Sequence, residues 1–150
     1  MKNNGQNFKV VDVHLEDTVE DVDPPPPDLK SDFENMQDWL AHICDGQRPE
    51  KAVTRFELGL FESRTDSEIV YVLYLAGINV VNHSYTVDYR PSNMYFRLPL
   101  EYSSLDSLQV RDKLVTEAVN FTTTKRFQSS FLAQAQTILF DGKAIWNNIQ

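Results

Sequence analysis

The spacing of hydrophobic positions changes along the chain, and the changes mark its elements. Phe33, Met36, Leu40 and Ile43 recur at three- and four-residue intervals, with Trp39 beside them. That period predicts a helix with one apolar face. Ser31 and Glu34 have the spacing of a capping box, which sets the predicted start at Ser31. Asp45-Gly46 ends it, because glycine accepts the left-handed conformation past a helix end. Pro49 prevents continuation.

The period then shortens to two. Residues 54–61 put Phe56, Leu58 and Leu60 on one face. Residues 68–76 are apolar on both faces, as a central strand should be, and Gly77 predicts a turn. Residues 80–90 alternate Val81, His83, Tyr85, Val87 and Tyr89 against Asn82, Ser84, Thr86, Asp88 and Arg90. Pro91-Ser92-Asn93 reads as a turn, after which Met94, Phe96 and Leu98 alternate again. Four strands with short connections predict an antiparallel meander.

The helical period returns near 104–121, with Ser103 or Ser104 as cap. Leu105, Leu108, Val115, Ala118 and Val119 fall on the predicted inner side. A last helix starts near Thr124 and carries Phe127, Phe131, Leu132, Ala135, Ile138 and Leu139. Asp141-Gly142 reads as the end of that helix, in preference to a hairpin turn between 138–140 and 143–146. Upstream, Phe8, Val10, Val11, Val13 and Leu15 mark 8–15 as a candidate extra strand. Pro24–Pro27 lack amide donors and favour polyproline II, which reads as a stiff, solvated spacer rather than a ligand for an aromatic groove.

The expected fold is therefore α+β. An antiparallel four-stranded sheet, with 8–15 as a candidate fifth strand, has one face covered by three helices. Residues 1–30 form an acidic, proline-containing arm and 31–150 a single domain. A chain of 150 residues fits one domain.

Charge adds what the periodicity does not show. Residues 1–34 hold nine acids (Asp12, Glu16, Asp17, Glu20, Asp21, Asp23, Asp28, Asp32, Glu34) and three bases (Lys2, Lys9, Lys30), a balance of −6. The remaining thirteen acids and eleven bases give only −2 of the total −8. The acidity is thus local and able to act on a partner. A pI near 4.8 disfavours nucleic acid, which needs a basic stripe, and an anionic membrane surface. The start of the chain shows no signal-peptide apolar stretch. The longest apolar run, Ile69–Ala76, is far shorter than the roughly 20 residues of a membrane span. Cys44 is the only cysteine, so no intrachain disulfide can form, and a reducing, cytoplasmic setting is expected.

Candidate chemistry is sparse. His14, His42 and His83 lack the spacing of a zinc hydrolase motif. Cys44, at a helix C-terminus beside Ile43, reads as a small buried hydrophobe rather than a nucleophile. Asp17, Glu20, Asp21 and Asp23 are followed by prolines where a calcium loop would have to turn. Phosphate-binding glycine loops and the GxSxG elbow are missing from the sequence. No catalytic, cofactor-binding or metal residue stands out in the sequence, and no cofactor is expected. All six tyrosines lie between Tyr71 and Tyr102, which suits either a sheet core or an interface.

The favoured function is a non-enzymatic binding protein of inhibitor, immunity or chaperone type, acting on a basic protein partner. Its partner-binding candidates are Glu16, Asp17, Glu20, Asp21 and Asp23 on the arm, and Tyr85, Asp88, Tyr89, Arg90 and Tyr95 on the sheet. The first alternative is an enzyme or small-ligand binder with a pocket between sheet and helices, using His83, Tyr85, Tyr89 or Arg97. The second is a structural subunit or homodimer, in which 8–15 adds to a neighbour's sheet edge.

Overall fold

The computed structural model describes residues 9–10, 22–30, 32–64 and 68–148. Its strands are β1 (Lys9–Val10), β2 (Arg55–Arg64), β3 (Ile69–Val81), β4 (Ser84–Tyr89), β5 (Tyr95–Arg97), β6 (Thr137–Phe140) and β7 (Lys143–Asn147). Its helices are α1 (Met36–Cys44), α2 (Ser107–Phe121) and the short α3 (Lys125–Gln128), with 3₁₀ turns at Leu100–Ser104 and Phe131–Gln134. The fold is α+β, but the sheet is mixed rather than an antiparallel set of four. Its order is β4-β3-β2-β6-β7, and β6 runs parallel to β2. The helices between β5 and β6 make the crossover that a parallel neighbour requires. Of the predicted strand 8–15, Lys9 and Val10 pair antiparallel with Glu62 and Phe61. The rest of it lies outside the described residues.

The strand boundaries move for physical reasons. Gly77 does not turn; β3 runs through it to Val81. A Cβ there would sit 2.8 Å from the Cβ of Tyr89, its cross-strand partner, so the glycine serves close packing. The turn falls at Asn82-His83, both left-handed with φ of 53° and 67°, which matches the twist of a two-residue hairpin. His83 therefore sits at a turn and not on a strand face. The same geometry overturns the predicted helix end at Asp141-Gly142. These residues, with φ of 50° and 87°, turn the β6–β7 hairpin. Asp-Gly between two short apolar runs is the hairpin signal, and it outweighs the helical spacing.

Helix starts shift too. Asn35 caps α1, accepting from the Asp38 amide at 2.9 Å; Ser31 lies outside the described residues. Asp106, not Ser103 or Ser104, caps α2 in a reciprocal capping box with Gln109. The two serines belong to the preceding 3₁₀ turn, where the Ser103 hydroxyl donates to the Leu100 carbonyl. The buried face of α2 is Val110, Leu114, Ala118 and Phe121 at three- and four-residue spacing, and Leu108 and Val119 are exposed. The last predicted helix shrinks to one turn at α3.

Both faces of the sheet carry buried apolar clusters, where one was expected. On the first, Phe56, Leu58, Leu60, Tyr71, Leu73 and Leu75 pack against α1, α2 and Phe127. On the second, Phe61, Val72, Tyr74, Ala76, Ile78 and Met94 form a smaller cluster, with Val22 and Leu29 packed on it. Gly59 lies opposite Tyr74 and leaves room for its ring; a Cβ would come within 2.4 Å of it.

Candidate functional site

The site is built where two loops face one another at the ends of α1 and β4. β4 pairs with β3 over Gly77–Val81 and β5 with β3 over Val72–Tyr74, on the same edge. The chain between them, residues 90–94, spans only Leu75 and Ala76 on β3 and so bulges outward. Pro91, whose nitrogen cannot donate to a ladder, marks that break. The second wall is the loop leaving α1, where Pro49 excludes further helix.

A cavity of about 600 Å³ opens between these loops, lined by His42, Arg48, Lys51, Asp88, Tyr89 and Arg90 among others. Its walls are anchored from the core. The Tyr89 hydroxyl donates to the Gln47 carbonyl at 2.7 Å, and Trp39 Nε1 donates to the Asn93 carbonyl at 2.8 Å. Asp88 accepts from Asn79 Nδ2 at 2.8 Å and from the Thr86 hydroxyl at 3.1 Å, and Lys51 Nζ lies 3.5 Å away. The Asn79 hydrogen bond above all, then those from Thr86 and the Lys51 charge, hold the Asp88 carboxyl below the usual carboxylate range. The lining sets Arg48, Lys51 and Arg90 against Glu50 and Asp88, so it offers donors and acceptors of both signs.

The structure divides the predicted site residues. Asp88, Tyr89 and Arg90 meet at this cleft. Tyr85 and Tyr95 lie on the second face of the sheet: Tyr85 packs its ring 4.7 Å from the Arg55 guanidinium, and Tyr95 donates its hydroxyl to the Asp23 carbonyl. Asp23 is exposed. Glu16, Asp17, Glu20, Asp21 and His14 lie outside the described residues. His83, Tyr85, Tyr89 and Arg97 do not converge on a sheet–helix pocket. His83 is at a hairpin tip, Tyr89 is on the first face, and Tyr85 and Arg97 belong to the second. The space between sheet and helices is filled by the first-face core.

His42, Arg48 and Lys51 were given no binding role from sequence; they share a cleft with Asp88 because the end of α1 and the loop leaving it face the end of β4. Nor were Arg55 and Glu57, whose ion pair at 2.7 Å is nearly buried on the second face. Two charges alternating with Phe56 and Leu58, just before the apolar run Leu60-Phe61, were the signal. Cys44 is half-buried beside the first-face core. Burial pushes its thiol pKa up, against a smaller opposing effect of the Ser130 hydrogen bond. It is therefore a poor nucleophile near neutral pH. Among the described residues no group of three or more His, Cys, Asp or Glu is placed to hold a metal ion, and no helix is long and apolar enough to cross a membrane.

The tyrosines give a pH prediction. The hydroxyls of Tyr71, Tyr89, Tyr95 and Tyr102 donate to Leu105 O, Gln47 O, Asp23 O and Glu117 Oε2. A tyrosinate can donate none of these bonds. Burial, the leading cause at each, raises the pKa of all four and of Tyr74; Tyr102, beside the Glu117 carboxylate, is pushed up to about 12. Folded values above the unfolded value of about 10 mean that this stability is complete below pH 10. It is lost as pH rises through the folded values. Denaturant unfolding is expected to show a stability decline beginning near pH 10, with tyrosinate absorbance emerging as the fold is lost. Ordinary titration of every tyrosine in a still-folded chain would contradict it.

Comparison with protein families, with curated proteins and with solved structures finds no match to this chain.

Proposed function

We propose that this chain is a non-enzymatic binding protein of inhibitor, immunity or chaperone type that associates with a basic protein partner. The observation that supports this reading is an acidic strip of chain, running from the segment on the second face to the first turn of α1. Between residues 22 and 38, Asp23, Asp28, Asp32, Glu34 and Asp38 are all exposed, and Lys30 is the one base. Tyr95 and Arg97 donate to the carbonyls of Asp23 and Leu29, which keeps the first of these charges beside the body before a partner docks. Clustered charge of one sign steers an oppositely charged surface towards it. Asp88 and Arg90 at the cleft and Tyr95 beside the strip then supply polar contacts around the docked surface.

The test reverses the strip in the full chain with Asp23→Lys, Asp28→Lys, Asp32→Lys and Glu34→Lys. Wild type and variant are used to capture partners from host lysate, and association with any captured partner is followed across ionic strength. The reading expects a basic protein taken stoichiometrically by wild type, with an on-rate at least about tenfold lower and a flatter salt dependence in the variant. A partner held equally by both chains removes the steering role. The cleft of about 600 Å³ favours a second reading, a small polar-ligand site. A thermal-shift screen of charged metabolites against wild type and Arg48→Ala tests it.

A further inference from the structure

Residues Val22–Lys30 do not stand away from the body. Val22 is half-buried and Pro25 buried, while Asp23, Pro24 and Pro26 face out. That three-residue spacing suits the polyproline II conformation which Pro24–Pro27 favour, and Val22 packs on the second-face cluster. The Leu29 amide then donates to the Pro26 carbonyl at 3.2 Å, closing a turn with Pro27 and Asp28 at its centre. Proline at the first central position suits such a turn. Leu29 re-enters the second-face cluster beside Val22.

The surface beneath is matched to such a segment. Tyr95 and Arg97 alternate along β5 and so share one face, in register with Tyr74 and Val72. Phe61 packs against Tyr74 and Tyr95 with ring centroids 5.4 and 6.5 Å away. Tyr95 Oη donates to the Asp23 carbonyl at 2.5 Å and Arg97 Nη1 to the Leu29 carbonyl at 3.3 Å. A proline-rich strand has few amide protons and offers mostly carbonyls, so a strip that presents donors between aromatic rings is complementary to it. Both hydrogen bonds reach backbone and read no side chain. A different segment with an apolar residue and a proline at the same three-residue spacing would satisfy them equally.

We propose that this strip, built on Phe61, Tyr74, Tyr95 and Arg97, is a recognition site for an extended proline-rich segment of a protein partner, and that Val22–Lys30 occupies it in cis as a displaceable strap. The inference rests on the binding-protein reading and gives the partner a chemical class. Competition follows directly: a tethered strap has an effective concentration near millimolar and masks the strip from weak ligands.

The test uses a fluorescent peptide of residues 22–30 and the full chain. In a Val22→Ser, Pro25→Ser, Leu29→Ser variant the strap loses its apolar anchors while the strip stays intact. Anisotropy is expected to show saturable binding to this variant, at least about tenfold tighter than to wild type, where the strap competes. Adding Tyr95→Phe and Arg97→Met should weaken it by about three- to tenfold for each lost donor. Absence of saturable binding, or equal binding to variant and wild type, overturns the proposal. If the variant does not fold, wild type is titrated to millimolar peptide and its Tyr95 and Arg97 resonances are followed. Shifts confined to the strip support the site, and their absence overturns it. Because the assay needs no cellular partner, its failure removes the strip alone and leaves the charge-reversal result to decide the binding-protein reading.

Discussion

Trp39→Ala is expected to lower the unfolding free energy by about 4 kcal/mol, the range for an aromatic removed from a packed core. Trp39 is fully buried on α1, and its ring stacks on Phe96 of β5 with centroids 5.6 Å apart and planes 20° from parallel. Neighbours fixed in helix and sheet cannot close the space that alanine leaves, so a cavity cost adds to the lost transfer energy. Its Nε1 also holds the Asn93 carbonyl on one wall of the cleft. The change should appear as a fall in the thermal midpoint of about 10 °C for a domain of this size. Trp39→Phe separates the two roles. It keeps most of the apolar contact and loses the donor, so about 1–2 kcal/mol is expected, with loosening confined to the Asn93 wall. Denaturant titration of both variants checks the pair. An alanine loss under 1.5 kcal/mol would mean that the first-face core can collapse around the gap.

Trp39 also shows what could be read before the fold was known. The stripe Phe33, Met36, Leu40 and Ile43, with Trp39 beside it, is local, so its period pointed to the helix and its apolar side, although Phe33 precedes the helix and Trp39 joins the buried face. Strand alternation likewise placed Phe56, Leu58 and Leu60 together. What could not be read were properties of pairing. Gly77 looks like a turn in sequence and is a close-packing residue because Tyr89 lies across from it. Ile138 and Leu139 look helical after Phe131 and Ala135, yet a parallel place beside β2 and an Asp-Gly turn make them strand. The candidate site follows the same rule. Asp88, Tyr89 and Arg90 reach one cleft because they are contiguous. Their separation from Tyr85 and Tyr95 depends on a register shift at Gly77-Ile78 that moves Tyr89 to the opposite face.

The same non-local logic sets the second large effect, at Arg111 and Asp141. Thirty positions apart, with nothing in the sequence to pair them, they meet with Nε 2.9 Å from Oδ2, at side-chain exposures of 16% and 4%. Asp141 is doubly constrained, since it also holds the left-handed first position of the β6–β7 turn and its amide donates to the Leu58 carbonyl. The pair thus ties α2 to the hairpin that completes the sheet. Arg111→Met keeps the length of the side chain but takes the guanidinium away from a buried carboxylate, at an expected cost of about 3 kcal/mol, the low end for breaking a buried pair because the arginine keeps some contact with water. Asp141→Asn removes the charge while preserving a residue that tolerates positive φ, and should cost less. If charge is the cause, the double variant will be more stable than Arg111→Met alone, because the buried charge that lost its guanidinium is gone. A double-mutant cycle reads that coupling directly. Strict additivity of the two losses would instead mean that the bond is screened by solvent and that packing of the arginine stem carries the effect.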